Sequence, residues 1–293
     1  MRTAIAGGPR LGGALSTLRL LLRQPAGLVG LLGVVALTLL SFVGPLLVPP
    51  ANQADLGAIY QAPSAAHPLG SDFQGRDNLV MLIHGGRDVI LLAVATGLLT
   101  TLIAVAVGAF SALLGGAFDS ALMGLTDIWL TIPRFILLVV LASLIRLESV
   151  WALAALLAVF GWPGLARQIR AQILSLKQRE YVEAAQLLGL GVAHIVFREM
   201  LPNMLSFIVI ALIAAMTQAI YTQTGLVFLG VVPFGNNWGV LFSLAYAKNA
   251  IYLPAASWSL LAPMGAIILF QLSLVLLTRG LEEVFNPRLR SDL

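Results

Sequence analysis

Residues 87–115 read RDVILLAVATGLLTTLIAVAVGAFSALLG, with no charged residue after Asp88. A helix rises about 1.5 Å per residue, so about 20 residues cross the hydrocarbon core of a bilayer. A stretch this long and this apolar is predicted to cross a membrane. It must do so as a helix, because an unpaired backbone group in hydrocarbon costs several kcal/mol. Its small residues (Ala93, Ala95, Gly97, Ala104, Ala106 and Gly108) suit close packing against other helices.

Five further segments of similar character lie at 26–48, 120–145, 150–171, 202–229 and 257–281. The fold class expected is therefore an all-α, polytopic membrane protein of about six transmembrane helices. Composition agrees: 59% of the residues are hydrophobic and 10% are charged, against roughly 25% charged in a soluble domain. Mean hydropathy is +0.95. Cysteine is absent, which excludes disulfides, thiolate metal sites and a cysteine nucleophile. The net charge of +4 does not point to nucleic acid, because the basic residues are scattered between apolar spans.

Arg2, Arg10, Arg19 and Arg23 precede the first apolar run in the manner of a signal peptide. The run is long enough to span and other spans follow, so an uncleaved helix is expected. Placing both termini inside puts 12 of the 17 basic residues on the cytoplasmic side, the sense of the positive-inside rule. The domain plan that follows has a cytoplasmic segment 1–25, a first transmembrane helix 26–48 and an extracytoplasmic loop 49–86. A five-helix core 87–285 and a cytoplasmic tail 286–293 complete it. The loop is rich in proline and aspartate (Pro49, Pro50, Pro63, Pro68, Asp55, Asp72, Asp77), and a second polar connection runs through 231–256.

The charged connection 172–201 lies within the core and faces the cytoplasm in this plan. Glu180, Glu183, Ala184 and Ala185 favour a short helix, Gly189 and Gly191 stop it, and Leu201-Pro202 opens the next span. Such a helix is a handle for another protein, with small residues at 184, 185 and 189 permitting close approach. A plain solvated loop is the alternative on chemistry alone.

Glu183-Ala184-Ala185, then Gly189, then Leu201-Pro202 resembles the EAA loop of binding-protein-dependent ATP-binding-cassette importer permeases. Other matches run in order along 65–290. His67-Pro68-Leu69-Gly70-Ser71-Asp72, Gly75-Arg76-Asp77 and Gly86-Arg87 resemble the C-type subunit of the oligopeptide/dipeptide/nickel branch. Asp127 with Pro133, Ala166-Arg167 with Arg170, Phe228-Leu229-Gly230, Trp238-Gly239 and Asn286-Pro287-Arg288 continue the series. The resemblance implies a type I importer permease fold with a coupling helix that docks on an ATPase. Departures include Gln223 where the branch often has an acid, Arg134 after Pro133, and Arg279 with Glu282 as an exchanged charge pair.

The partners implied are a homologous B-type permease subunit, one or two ABC ATPase subunits, an extracytoplasmic solute-binding protein and membrane lipid, with no nucleic acid. The location implied is the prokaryotic inner membrane, with several passes. The chain has no G-x-x-x-x-G-K-[ST] loop, and its only lysines are Lys177 and Lys248. No cofactor or metal is expected in this chain; ATP and Mg belong to the partner ATPases, and the subunit is non-catalytic. Di- or oligopeptides are the first substrate class, with nickel complexes or oligosaccharides as alternatives. A stand-alone secondary transporter is a further reading, though no internal duplication is apparent.

Polar residues inside spans are costly in lipid and so draw attention. Thr217, Gln218, Tyr221, Thr222, Gln223 and Thr224 cluster in the fifth span. Gln218, Tyr221, Thr222 and Gln223 are the candidates to line a pore, and hydrogen bonding between helices is the alternative. Asp127 and Arg134, seven residues apart, are expected on one face of the third span, for pairing or burial. His67 and His84 share a loop without a third ligand, a poor metal site. Asp72, Arg76, Asp77, Arg87 and Asp88 are expected to form local ion pairs or hydrogen bonds.

Overall fold

The structure, a computed structural model, describes residues 11–50, 53–145, 147, 149–232, 235 and 237–285, with the side chains of 11–15 and 193 left aside. The tail 286–293 with Asn286-Pro287-Arg288, Arg2, Arg10, Asn52, Arg146, Pro233 and Asn236 lie outside the described residues. Among the described residues the chain is helical, with one isolated bridge between Ser71 and Asp77.

The principal helices are α1 (Leu11–Arg23), α2 (Pro25–Phe42, extended by a turn at Gly44–Leu47), α3 (Asn78–Leu114) and α4 (Gly116–Thr131). Then come α5 (Arg134–Leu144), α6 (Val150–Val159), α7 (Trp162–Lys177) and α8 (Glu180–Leu187). The last are α9 (Leu201–Phe228), α10 (Trp238–Ala247) and α11 (Ser257–Phe285). Among the described residues four continuous helical stretches are long and apolar enough to cross a membrane: Pro25–Leu47, Asn78–Leu114, Ile195–Phe228 and Pro254–Phe285. Two bent pairs, α4 with α5 at 80° and α6 with α7 at 52°, raise the number to six.

The expected third and fourth spans are thus broken helices. At the first break Ile132 is extended (φ −80°, ψ 126°) because the ring of Pro133 disfavours a helical residue before it. The second break falls at Phe160-Gly161, and Pro163 sits in the first turn of the new helix, where its missing N–H is not needed. The second span begins at Asn78, nine residues before the expected 87, so the loop 49–86 is shorter than expected. Asp77 caps α3, its carboxylate accepting from Val80 N at 3.0 Å. His84, on the added turns, hydrogen-bonds the Val48 carbonyl at 3.0 Å through Nε2.

Helix α3 runs through the middle of the bundle, and its glycines meet different neighbours. A Cβ on Gly97 would lie 2.6 Å from Met216 Cγ, and one on Gly108 would lie 2.5 Å from the Ala166 carbonyl oxygen. Ala93 and Ala104 are buried, whereas Ala106 faces outward, against expectation. The connection 231–256, read as a polar loop, contains α10 and folds onto the bundle. Asn237 caps that helix by accepting from Val240 N, and buried Trp238 donates from Nε1 to the Leu82 carbonyl at 2.8 Å.

The loop before α3 is tied down by Asp72. Its carboxylate accepts from Gln74 N at 2.8 Å, Arg76 N at 2.9 Å and Arg76 Nε at 2.8 Å. His67 Nδ1 and Asp77 Oδ2 lie 2.9 Å apart. The Ser259 hydroxyl donates to the Ser71 carbonyl at 3.0 Å, joining the loop to α11. Gly75 has φ +76°, and a Cβ there would overlap the Asp55 carbonyl oxygen at 1.8 Å. The local pairing expected for Asp72, Arg76 and Asp77 is therefore present.

Candidate functional site

At the end of the bundle opposite that loop, α7 leads into α8 through Gln178 and Arg179. Glu180 and Glu183 stand in the first turn of α8, where acidic side chains complement the helix dipole. Val182 and Ala185 are buried against Ile169 and Ile173 of α7 and against Ile195, Val196 and Met200. The opposite stripe of Glu180, Glu183, Ala184 and Leu187 is exposed, and Leu187 and Leu188 are 84% and 78% exposed. Tyr181 has its phenol pKa raised chiefly by desolvation, with Glu199 adding and Arg179 opposing.

Helix α8 ends in a Schellman motif. Leu190 N donates to the Ala185 carbonyl at 3.1 Å and Gly189 N to the Gln186 carbonyl at 2.9 Å. Gly189 has φ +69° with open space where a Cβ would stand. The glycine serves the left-handed turn, which costs another residue about 1–2 kcal/mol. Ala185 also departs from expectation: it faces the chain's own core, and only Ala184 of the pair is free to meet another surface.

The next span starts earlier than Leu201-Pro202. Helical turns begin at Val192, and Ile195–Met200 is a π-helical segment in which Leu201 N donates to the Val196 carbonyl. Pro202 cannot donate to the Arg198 carbonyl, so the wider turn falls where the regular ladder is already interrupted. The connection between spans is accordingly 178–191, narrower than 172–201. Lys177 at its start donates to the Ala112 carbonyl at 3.0 Å.

Two ion pairs bind α4 to α7 near this end. Arg170 holds Asp119 with both arms of its guanidinium, Nε donating to Oδ1 at 2.6 Å, and the Ser111 hydroxyl also donates to Asp119. Arg167 pairs with Asp127. Asp127 and Arg134 therefore do not share a face: the 80° break between α4 and α5 separates them. Arg134 instead donates from Nη2 to the Leu157 carbonyl at 3.1 Å. Among the described residues no ion pair joins Arg279 to Glu282.

The polar run of α9 divides around the helix. Gln218 lines an open cleft of about 290 Å³ with Thr96, Thr100, Arg134, Gly161 and Gln168. Tyr221 is 58% exposed. Thr222 is buried, its hydroxyl donating back to the Gln218 carbonyl at 2.9 Å, and Gln223 is only 2% exposed. Consecutive residues turn 100° about a helix axis, so an eight-residue run cannot share one face. Gln223 points away from Gln218, which corrects the expectation that it and Thr222 line the same path. Sequence reading passed over Thr96, Thr100 and Gln168; their signal was polarity within apolar spans. Among the described residues no group of three His, Asp or Glu side chains is placed to hold a metal.

These features define a class: a polytopic helical membrane protein with broken spans around a mid-bundle cleft and a short exposed helix between its fourth and fifth spans. Residues 104–291 match the family described as binding-protein-dependent transport system inner membrane component. Residues 16–63 match the N-terminal transmembrane domain of oligopeptide transport permease C. The chain belongs to the binding-protein-dependent transport system inner membrane component family, which places it in the bacterial inner membrane as an ABC transporter permease. It is 36% identical over 270 residues to a protein of Brucella ovis named as a peptide permease, covering 91% of this chain and 88% of the relative. It is 30% identical over 277 residues to the oligopeptide transport system permease protein OppC of Mycobacterium bovis, covering 93% and 94%. The OppC protein of Bacillus subtilis is 29% identical over 267 residues, covering 90% and 86%.

Proposed function

We propose that the chain is the C-type permease subunit of an ATP-binding-cassette importer for di- or oligopeptides. It pairs with a homologous B-type subunit and sits on one or two ABC ATPases, which hold the ATP and Mg. It takes solute from an extracytoplasmic binding protein. The observation that carries this reading is α8, exposed at one end of a bundle whose chain has no phosphate-binding loop. The peptide class rests on the names of the relatives. The distribution of basic residues supports both termini, and with them α8, lying in the cytoplasm.

The packing gives the proposed coupling a route. Val182 and Ala185 anchor α8 to α7 and to the turns that begin the fifth span. The same two spans both contribute to the lining of the cleft, Gly161 and Gln168 from one and Gln218 from the other. A displacement of α8 by a closing ATPase thus bears on both at once. Glu180, Glu183 and Ala184 meet the ATPase on this reading, Ala185 and Gly189 hold the shape of the handle, and Leu201 with Pro202 begins the wall it moves. Gln218 and Tyr221 are the side chains of α9 open to the path.

The test is affinity purification of the tagged chain from detergent-solubilised membranes. A second permease, P-loop ATPases and a solute receptor are expected to co-purify, and the receptor's bound solute is expected to be a peptide. A chain that purifies alone and transports without ATP contradicts the importer reading in favour of a secondary carrier.

A further inference from the structure

Among the described residues the cleft holds a cation, Arg134, and no anion. Arg134 stands at the break between α4 and α5, and Gly161 stands at the break between α6 and α7. Non-helical backbone at membrane depth is tolerated where it lines a cavity, and both breaks do so here. One use of Arg134 is local. Gly161 N bonds the Ala158 carbonyl instead of Leu157, and Arg134 Nη2 takes the Leu157 oxygen in its place. That leaves the rest of the guanidinium, and its Nε has no hydrogen-bond partner. Among the described residues no Asp or Glu lines the cleft.

Two further donors are idle in the same space. Thr96 and Thr100, one turn apart on α3, are 1% and 4% exposed, and neither hydroxyl is hydrogen-bonded. A methyl group on Gly161 would meet Arg134 Nη2 at 3.0 Å and Thr100 Oγ1 at 3.2 Å, so guanidinium and hydroxyl flank one small volume. Threonine in a membrane helix ordinarily returns its hydroxyl to a carbonyl one turn back, as Thr126 and Thr278 do here. Gln168 and Gln218 add amides to the lining.

An arginine inside a membrane bundle is expensive and calls for a partner. We propose that this cleft is a carboxylate-binding subsite on the solute's path, with Arg134 as its cation and Thr96 and Thr100 as neutral donors. The planar fork of arginine matches a carboxylate, and one cation with two hydroxyls suits a monoanion better than a doubly charged phosphate. Gln168 and Gln218 are placed to meet the amide groups that accompany a peptide's terminal carboxylate. The assignment of the anion to the cargo rests on the importer reading above.

The test uses the assembled complex in proteoliposomes, with trialanine and trialaninamide as probes that differ only at the C-terminus. Each uptake rate is divided by receptor occupancy, which removes the receptor's own preference. Wild type then favours trialanine, and Arg134→Gln lowers that ratio about tenfold, the scale of one lost charge-assisted hydrogen bond. Arg134→Lys restores part of it. The Thr96→Val, Thr100→Val pair keeps the helix and lowers the ratio about threefold, which covers the case that Arg134→Gln does not fold. An unchanged ratio in the folded variants overturns the proposal. So does loss of the partner permease from a stable Arg134→Gln chain, because the anion then belongs to the partner subunit. If wild type imports neither peptide, the peptide reading fails and binding to the purified full chain decides. A rise in Tm with trialanine, absent with the amide and in Arg134→Gln, retains a carboxylate site; no rise removes it.

Discussion

Leu187→Asp combined with Leu188→Asp is expected to leave the chain folded and to remove nearly all ATP-driven uptake. Both side chains project from the end of α8 with little contact to the rest of the chain. Substitutions at such surface positions ordinarily change stability by less than about 0.5 kcal/mol. Their meaning lies in what they dock against. Leu187 continues the stripe of Glu180, Glu183 and Ala184, since residues three and four apart share a helix face. Burying a leucine side chain contributes about 2 kcal/mol, and a carboxylate buried in its place adds its desolvation. A loss of uptake of about 30-fold or more follows. It is read in proteoliposomes, with the Tm of the purified chain as the control. Uptake within twofold of wild type removes α8 from the coupling route.

Gly30→Leu acts on the fold itself. Gly27, Gly30 and Gly33 recur every third residue and form one stripe of α2 that lies on α11. A Cβ on Gly30 would meet Leu277 N at 2.3 Å, one on Gly33 would meet Ser273 Oγ at 2.1 Å, and one on Gly280 would meet Gly27 Cα at 2.4 Å. In lipid there is no hydrophobic gain from joining two apolar helices, so close approach through small residues supplies the association. Backbone opposes the new side chain, and backbone cannot swing aside. Overpacking of this kind costs about 3 kcal/mol, and a fall in Tm of about 6 °C or more is expected. Val29→Leu is the control, because Val29 faces outward. Equal melting of the two variants contradicts this account of how the first span is held.

Hydropathy made the number of spans legible, and polar breaks between them gave approximate ends. It misplaced the start of α3, because Asn78, His84, Arg87 and Asp88 look like loop residues. Two of them are accommodated by bonds to distant backbone: Asn78 Nδ2 donates to the Leu69 carbonyl at 2.8 Å, and His84 bonds the Val48 carbonyl. The breaks at Pro133 and Gly161-Trp162-Pro163 carried a local signal, since each proline disfavours the helix before it. Continuous hydropathy across them concealed it.

The short helix around Glu183 was readable from helix formers followed by Gly189. Its orientation was not, because a helix of eight residues presents Ala184 and Ala185 to opposite surroundings. The glycine stripe of α2 was present as a spacing of three and marks an interface. The cleft had no linear signal. It forms where two broken spans meet α3 and α9, so Arg134 stood alone in the sequence and acquires Thr96, Thr100, Gln168 and Gln218 only in the fold.

On the proposed function, α8 is the contact through which separate ATPases drive this subunit. The chain has no cysteine, so Gln186→Cys introduces a single thiol on the exposed side of α8. A thiol-linked benzophenone at that position, photolysed in membranes holding the active complex, is expected to give an adduct with a P-loop ATPase. Its yield is expected to change when ATP is added, and Ala65→Cys, in the loop at the other end, is expected to give no such adduct. An active complex in which position 186 forms no adduct with an ATPase rules out α8 as that contact.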